Sequence, residues 1–411
     1  MFDRKTLGKL GGWAGYRVAE VDYRPGEGWS GRGKVVIRLQ STRKWMRCSR
    51  CGSRSRSVHD TTTRRVRDLP LFDWDVVLIV PRRRLWCEHC GGPHLEELDW
   101  LSPHRRVTRR LEEAVSRLCS AMSLSQVAQF YGLGWHTVKA IDQAALQRQV
   151  REPDWANIEY LGMDEFALHK GHRYATVIVE PLRRQVLWVG AGRSREAIRP
   201  FFERLSEASR QQIKAVVMDM NTAFDLEVQT HCPNAQVVYD LFHVVAKYGR
   251  EVIDRVRVDE ANRLRHQPKA RKVVKSARWL LLRNRDNLAG PDQAVRLDEL
   301  LAANQALMTV YVLKDDLKRL WAYRHAGYAK RLWEAWYGRA LESGIAPLVQ
   351  FAKRIRPYLN GILAHCRHPL HTSVLEGINN RIKVIKRMAY GFRDEAYFFL
   401  KIRAAFPGHL R

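Results

Sequence analysis

The sequence has no run of about twenty apolar residues, the length that a membrane-spanning helix needs. Its first residues, MFDRKTLGKLGGW, lack the apolar segment of a secretory signal peptide. The 411 residues contain no internal repeat and no low-complexity tract. We therefore expect two to four folded domains in a cytoplasmic protein that has no membrane partner.

Cysteine is scarce: the seven cysteines are too few for the disulfide framework of a secreted protein. Four of them form two C-x-x-C pairs, each followed by glycine, in RCSRCGS and WCEHCGG: Cys48, Cys51, Cys87 and Cys90. Four thiolates complete the tetrahedral shell of zinc and leave no open position, as in structural sites. RRVRDLP and WDVVLIVPRRRLW, between the pairs, have strand composition. We predict a zinc ribbon with one structural Zn²⁺; two redox disulfides are the alternative.

Acidic residues are also few, because 43 Asp and Glu stand against 71 Lys and Arg, a formal net charge of +28. A folded chain this basic favours a polyanionic partner, most often nucleic acid. A solvated basic surface is the alternative. The apolar fraction of 45% is sufficient for a large core.

A helix-turn-helix pattern follows the cysteines. RRLEEAVSRLCSAM has helical spacing of apolar residues. SLSQVAQFYGLGWHTVKAIDQAAL then gives a serine cap, a short helix to about Tyr131, a Gly-Leu-Gly turn and a second helix. In this motif the second helix enters the major groove of double-stranded DNA. Trp135, His136, Thr137 and Lys139 would face the bases; an ordinary helical hairpin is the alternative.

Two apolar strands carry an acid near their end: Asp164 in IEYLGMDEFALH and Asp219 in KAVVMDM. A buried carboxylate needs a partner because desolvation is costly, and although Arg or Lys would suffice for one, two such strands favour divalent cations. Three antiparallel strands, a helix and a further strand follow the order of the ribonuclease H-like fold, in which the first and fourth strands are neighbours. Oxygen ligands suit Mg²⁺ or Mn²⁺, and two such ions promote in-line attack on a phosphodiester. Glu165 points to the opposite side of its strand and is not expected to be a ligand.

A third acid begins the last basic helix, SVLEGINNRIKVIKRMAY. Glu376 lies in its first turn with Ser373 as the expected cap, where the helix dipole favours an anion. Arg381, Lys383 and Lys386 follow, and we expect them to bind DNA phosphates near the metals. Lys383 is also expected to support the chemistry.

These features together resemble the DDE transposases of bacterial insertion sequences, most closely the family called ISL-three. The resemblance covers nearly the whole chain and includes four blocks in order: MDEFALHKGHRYATVIVE, VVMDMNTAF, VVYDLFHVV and LEGINNRIKVIKRMAYGFRD. It implies a catalytic triad of Asp164, Asp219 and Glu376. It also implies a supporting role for Asp240 and His243 in YDLFH, whose alternative is a satisfied pair that closes a strand.

The expected fold class is multidomain α/β, with a ribonuclease H-like catalytic core that contains a helical insertion and follows a four-cysteine zinc ribbon and a helix-turn-helix. The predicted regions are 1–100 for N-terminal strands and ribbon, 101–152 for the helix-turn-helix, 153–250 for the first part of the core, 251–365 for the insertion and 366–411 for the final part of the core with the Glu376 helix.

The resemblance implies a transposase that cleaves DNA at terminal inverted repeats and joins it to target DNA, using two Mg²⁺ (or Mn²⁺) ions per site. Because two ends must meet, a homodimer or larger assembly is expected, associated with the nucleoid. A non-catalytic DNA-binding regulator and a nuclease on the same fold are the alternatives. A pure binder has no use for three acids at two strand ends and a helix start.

Overall fold

The computed structural model describes residues 3–29, 31, 33–169, 171, 173–368, 370 and 373–408. The chain divides into two compact units, Met1–Val150 with Val384–Leu400 and Arg151–Lys383 with Lys401–Arg411. In the described ranges, we find no helix with the length and apolar character needed to cross a membrane.

The first unit begins with a short helix, continues with a sheet and then has three further helices before residue 150. Its elements before residue 150 are α1 (Arg4–Gly11), β1 (Tyr16–Arg24), β2 (Lys34–Ser41), β3 (Met46–Arg47), β4 (Arg54–Ser55), β5 (Val58–Leu71), β6 (Trp74–Cys87), β7 (Gly92–Leu95), α2 (Arg109–Cys119), α3 (Leu124–Tyr131) and α4 (Trp135–Gln149).

The sheet of this unit has the strand order β1-β2-β6-β5, with β7 paired to β6. β2 and β6 are parallel, and the other pairs are antiparallel. In residues 1–45 the sequence predicts one clear strand, GKVVIRLQ, but the structure forms α1, β1 and β2 there. β1 was missed because only Tyr16 and Val18 of its nine residues are buried, so its apolar alternation is weak.

The predicted helix-turn-helix is present as α3 and α4. Ser123 caps α3 and forms a reciprocal capping box with Gln126. Gly132 ends α3 with a left-handed φ of 57°, and a Cβ there would lie 2.6 Å from the Trp29 side chain, so both backbone and packing require glycine.

Two neighbouring residues of β5 attach these helices to the sheet. Arg67 donates to the carbonyls of Tyr131 (2.7 Å) and Gly132 (3.1 Å), and its guanidinium lies over the Trp29 ring. Asp68 is buried and accepts from the hydroxyl of Thr108, the N-cap of α2, at 2.6 Å. The sheet therefore fixes both the start of α2 and the turn between α3 and α4.

Residues 384–400 belong to this first unit, whereas the sequence suggested that 366–411 form one part of the core. Contacts along α4 explain the difference. Lys139 donates to Asp394 at 2.7 Å, and the Tyr397 hydroxyl donates to the buried carboxylate of Asp142.

The second unit combines a sheet with a helical region. Its elements are β8 (Tyr160–His169), β9 (Arg173–Glu180), β10 (Gln185–Ala191), α5 (Arg195–Glu203), α6 (Glu207–Gln212), β11 (Ala215–Met218), α7 (Thr222–His231), β12 (Gln236–Tyr239), α8 (Leu241–Tyr248), α9 (Asp254–Arg263), α10 (Pro268–Ser276), α11 (Arg278–Leu282), α12 (Pro291–Ala303), α13 (Gln305–Arg319), α14 (Ala326–Glu342), α15 (Ala346–Ile355) and α16 (Leu359–Leu363). Two more helices cross the ranges of the units, α17 (Ser373–Met388) and α18 (Glu395–Ala405).

The sheet of the second unit has the order β10-β9-β8-β11-β12. The three strands β8, β9 and β10 are antiparallel, and β11 is parallel to both β8 and β12. The first and fourth strands are therefore neighbours, as predicted. Met163 pairs with Met218 at the end of their ladder, so Asp164 and Asp219 follow at the same edge.

Helices α9 to α16 lie in the range 251–365, for which a helical insertion was predicted, and together with α8 they share the core of the sheet. Tyr248 is fully buried, packs edge-on against Phe351 (5.1 Å between centroids) and donates its hydroxyl to the carbonyl of Val310 at 2.8 Å. Trp333 and Trp336 are buried in the same cluster. These tryptophans are core residues.

Candidate functional site

Asp164 lies in the middle of β8 rather than at its end, because β8 continues to His169 as a hairpin arm with β9. It is the first β8 residue beyond the ladder with β11. Its Oδ1 accepts from the backbone N–H of Glu165 at 2.8 Å, and its Oδ2 accepts from Asn379 Nδ2 at 2.6 Å. Burial, with a contribution from the charge of Asp219, raises the pKa of Asp164 to about 6.

Asp219 directly follows β11 and is paired with a histidine. Its Oδ2 lies 3.2 Å from His243 Nδ1, and its Oδ1 accepts from the N–H of Met220 at 2.7 Å. Burial opposes ionisation, but the hydrogen bond and charge of His243 outweigh it and hold the pKa of Asp219 below its ordinary value. The same hydrogen bond raises the pKa of His243. The two carboxylates therefore differ: Asp164 is half-buried and hard to ionise, whereas Asp219 is paired with His243.

Asp240 and His243 do not pair with each other. Asp240 caps α8 by accepting from the N–H of Phe242 at 3.1 Å, while His243 contacts Asp219. The two residues therefore do not form the strand-closing pair that was the alternative to a supporting role.

Glu376 is exposed in the first turn of α17 and lines a cleft of about 780 Å³. Asp240 lines the same cleft, and so do four cationic residues of the helical region: Arg250, Arg278, Lys314 and Lys318. Lys314 is buried and donates to the carbonyls of Leu281 and Arg283, both at 3.1 Å, so its role there is structural. Arg250, Arg278 and Lys318 give this cleft a basic lining suited to phosphate, with Arg278 also paired to Asp254 and Lys318 to Asp315.

The residues expected to bind DNA on α17 fall into two groups. Arg381 and Lys383 are exposed, and Lys383 donates to Asn380 Oδ1 at 3.3 Å. Lys386 is half-buried. Glu165, as predicted, points away from Asp164 and contacts Arg193 at 2.8 Å.

The carboxylate site has the chemistry of a hard-cation site. The potential metal-ligand atoms of its acids are all oxygens, the type preferred by Mg²⁺ and Mn²⁺. A buried carboxylate whose ionisation is opposed, beside a second carboxylate, is stabilised by a cation. Among the described residues, the only group of three or more potential ligands whose ligand atoms all lie within 4.8 Å of one another is a cysteine quartet, so the three acids do not form a closed cluster. Asp164 and Asp219, with oxygen ligands at neighbouring strands, fit a divalent cation, and α17 reaches the same site through Asn379.

That quartet is the predicted Cys48, Cys51, Cys87 and Cys90. Two of the sulfurs, on Cys51 and Cys87, lie 3.6 Å apart, close to the edge of about 3.8 Å expected for a Zn–S distance of about 2.3 Å. Gly52 and Gly91 have positive φ and donate to the carbonyls of the first cysteine of each pair, both at 2.9 Å. The cluster supports a structural zinc.

The residues expected to read DNA occupy the start of α4. Trp135, His136 and Thr137 are exposed there. Lys139 is not: its ammonium group pairs with Asp394 and its side chain is only 22% exposed. The structure therefore brings three of the four residues to an accessible surface and commits the fourth to an internal ion pair.

Asn379 is the site residue that sequence reasoning missed. It lies one turn after Glu376 and is 8% exposed, with its amide on Asp164. The available signal was its spacing: three residues after the acid on a helix place it on the same face.

Comparison with known proteins agrees with these features. The DDE model of the ISL3 family, described as a transposase, matches residues 161–402. A helix-turn-helix domain of transposase family ISL3 matches residues 96–146, and the zinc-finger of transposase IS204/IS1001/IS1096/IS1165 matches residues 44–90.

Full-length relatives are similar as well. The transposase for insertion sequence element IS1001 of Bordetella parapertussis is 62% identical over 411 residues, 100% of both chains. The transposase for insertion sequence element IS1557 of Mycobacterium tuberculosis is 25% identical over 418 residues, covering 95% of this chain and 93% of the relative. The resemblance noted from the sequence is confirmed. With a DNA-binding helix-turn-helix, a zinc ribbon and a DDE domain in the family's order, the chain belongs to the ISL3 family of insertion-sequence transposases, which are DNA-processing enzymes.

Proposed function

We propose that this transposase cleaves DNA at the terminal inverted repeats of its element and transfers the freed strand into target DNA at the Asp164–Asp219–Glu376 site. The observation that carries the proposal is the adjacency of Asp164 and Asp219 at the end of one parallel ladder. Glu376 lines a cleft together with Asp240 and basic residues, and its helix contacts Asp164 through Asn379. The strand order supports a ribonuclease H-like core.

Asp164, Asp219 and Glu376 would hold two Mg²⁺ or Mn²⁺ ions. When bound, these ions supply activation of the attacking hydroxyl and stabilisation of the leaving oxygen. His243 keeps Asp219 ionised through its hydrogen bond. No covalent protein–DNA intermediate is required, because water and then the freed 3′-hydroxyl are the nucleophiles.

DNA would be positioned by cations on both sides of Glu376. Arg250 and Lys318 line the cleft, and Arg381 and Lys383 follow on α17. Contacts of this kind hold the DNA backbone and carry no information about the base sequence. Base reading would fall to the three exposed residues at the start of α4, with the zinc ribbon as a support for end binding. Two ends require at least a homodimer.

The test uses purified protein, labelled element ends and Mg²⁺. Asp164→Asn, Asp219→Asn and Glu376→Gln should each abolish cleavage while binding to element ends persists, because each removes a proposed metal ligand and none lies on α4, the proposed reading helix. A variant that cuts at the wild-type rate would remove its residue from the triad.

The same reactions separate the alternatives. A non-catalytic regulator would bind the element ends and leave the DNA uncut whichever divalent cation is added. A nuclease would nick the element boundary without producing joined products when target DNA is added. Nicks followed by joined products are expected here.

A further inference from the structure

The amide of Asn379 is placed at the candidate metal site by a single short contact. Its Nδ2 donates to Asp164 Oδ2 at 2.6 Å, between residues 215 positions apart in the chain. The other Asp164 oxygen accepts from the N–H of Glu165 at 2.8 Å. Each oxygen of this carboxylate thus has one donor, and one of the two donors is a side chain that can be removed without changing the backbone.

The second feature is the carbonyl oxygen of the same side-chain amide. Asn379 is 8% exposed, and its Oδ1 is buried with no hydrogen-bond partner among the described residues. Buried acceptors without a partner are uncommon in native proteins and are often explained by a bound ion or water. A residue selected only to fill this space would be apolar, since an apolar side chain has no polar atom to satisfy.

The third feature is the helix that carries the residue. Asn379 lies three positions after Glu376 on α17, so both side chains lie on the same side of the helix. The helix that supplies the third acid therefore also holds the first acid in place.

We propose that Asn379 is a positioning residue of the metal site, whose amide holds the Asp164 carboxylate in a fixed orientation for cation binding. The inference rests on the proposed function, because Asp164 must be a metal ligand. Residues that orient a ligand from outside the coordination shell typically change metal affinity by about 10–100-fold when removed.

The test measures Mn²⁺ binding to the full-length, zinc-loaded protein without DNA, following free Mn²⁺ by electron paramagnetic resonance. Asn379→Leu keeps a similar volume and removes the donor, and Asn379→Ala removes both. Both variants should bind Mn²⁺ at least about tenfold more weakly than the wild type. Agreement between the two variants separates the lost donor from lost packing. If only one variant folds, wild-type Mn²⁺ affinity in that variant still overturns the proposal, and Asn379→Leu by itself also excludes lost packing as the cause of weaker binding.

The matched control is Asn380→Ala, on the same helix, where the asparagine is exposed and contacts Lys383. It makes the same change of helix propensity and should keep the wild-type Mn²⁺ affinity. In cleavage assays the Mn²⁺ concentration for half-maximal rate should rise for the Asn379 variants by the same factor as the dissociation constant. The rate at saturating Mn²⁺ should fall by less.

Two results would overturn parts of this reasoning and can be told apart. Wild-type Mn²⁺ affinity in Asn379→Leu, with or without a change in melting temperature, overturns the positioning role. Wild-type Mn²⁺ binding in Asp164→Asn overturns the proposed metal site itself.

Discussion

Replacing Asp164 by asparagine should stabilise the divalent-free protein while it abolishes cleavage. Burial raises the pKa of Asp164 from 3.8 to about 6, so holding its carboxylate ionised at neutral pH costs about 3 kcal/mol. Asparagine removes this cost but can accept only one of the two hydrogen bonds that the aspartate accepts, from Glu165 N–H and Asn379. The mismatched donor costs about 1–2 kcal/mol, which leaves a net gain of about 1–2 kcal/mol.

The sign of the pH dependence follows from the direction of the pKa shift. Because the folded pKa lies above the unfolded one, the penalty is absent below about pH 4, grows between about pH 4 and 6 and is complete at higher pH. The melting temperature of Asp164→Asn should therefore exceed that of the wild type only above this window. For a unit of this size we expect a rise of about 2–6 °C at pH 7.5.

Calorimetry in buffer freed of divalent cations by resin, without a chelator that would remove the ribbon zinc, measures this difference. Mn²⁺ should then raise the melting temperature of the wild type and not that of the variant. Asp219→Asn is the matched control with the opposite sign, because the pKa of Asp219 is lowered in the fold and its charge is stabilising above the unfolded pKa. If Asp164→Asn melts at or below the wild-type temperature at pH 7.5, the buried-charge argument is wrong.

Three further predictions concern other parts of the chain. Cys51→Ser should lose the one zinc ion per chain found by elemental analysis and should bind element ends more weakly; a wild-type protein without stoichiometric zinc would contradict this. The hydrogen bond to Asp219 raises the pKa of His243 above 6.5, so the pair stabilises the fold fully below pH 6.5 and this contribution is lost as the pH rises through the raised pKa. In unfolding titrations, the difference in free energy of unfolding between the wild type and His243→Gln should therefore become smaller over the same rise in pH. Thr137→Ala should lose about 1–3 kcal/mol of discrimination between element ends and scrambled DNA, whereas Lys383→Ala should keep it, slow cleavage and reduce the salt slope by about 1; equal losses of specificity would refute the assignment of reading to α4.

Local patterns predicted the parts of the site that depend on local rules. The C-x-x-C pairs with glycine specify their own turns, and the Ser123 cap and Gly132 specify the ends of α3. The adjacency of Asp164 and Asp219 also followed, because strand order fixes which strand ends meet.

Long-range partners could not be predicted in the same way. Asn379 and Asn380 are the same residue type side by side, and only the rotation of α17 against the sheet makes one buried and the other exposed. Lys139 is a residue type that commonly contacts DNA, but in the structure it forms an ion pair with Asp394, 255 positions later in the chain. Such pairings depend on tertiary packing that no local periodicity encodes.

The return of residues 384–400 to the N-terminal unit has a consequence for synthesis on the ribosome. α4 lacks its contacts with Asp394 and Tyr397 until the last few percent of the chain has emerged, since these residues bond to Lys139 and Asp142. A nascent or truncated chain would therefore present an incompletely supported recognition helix. A shortened product that ends before Asp394 is therefore expected to bind the proposed element ends more weakly than the full chain.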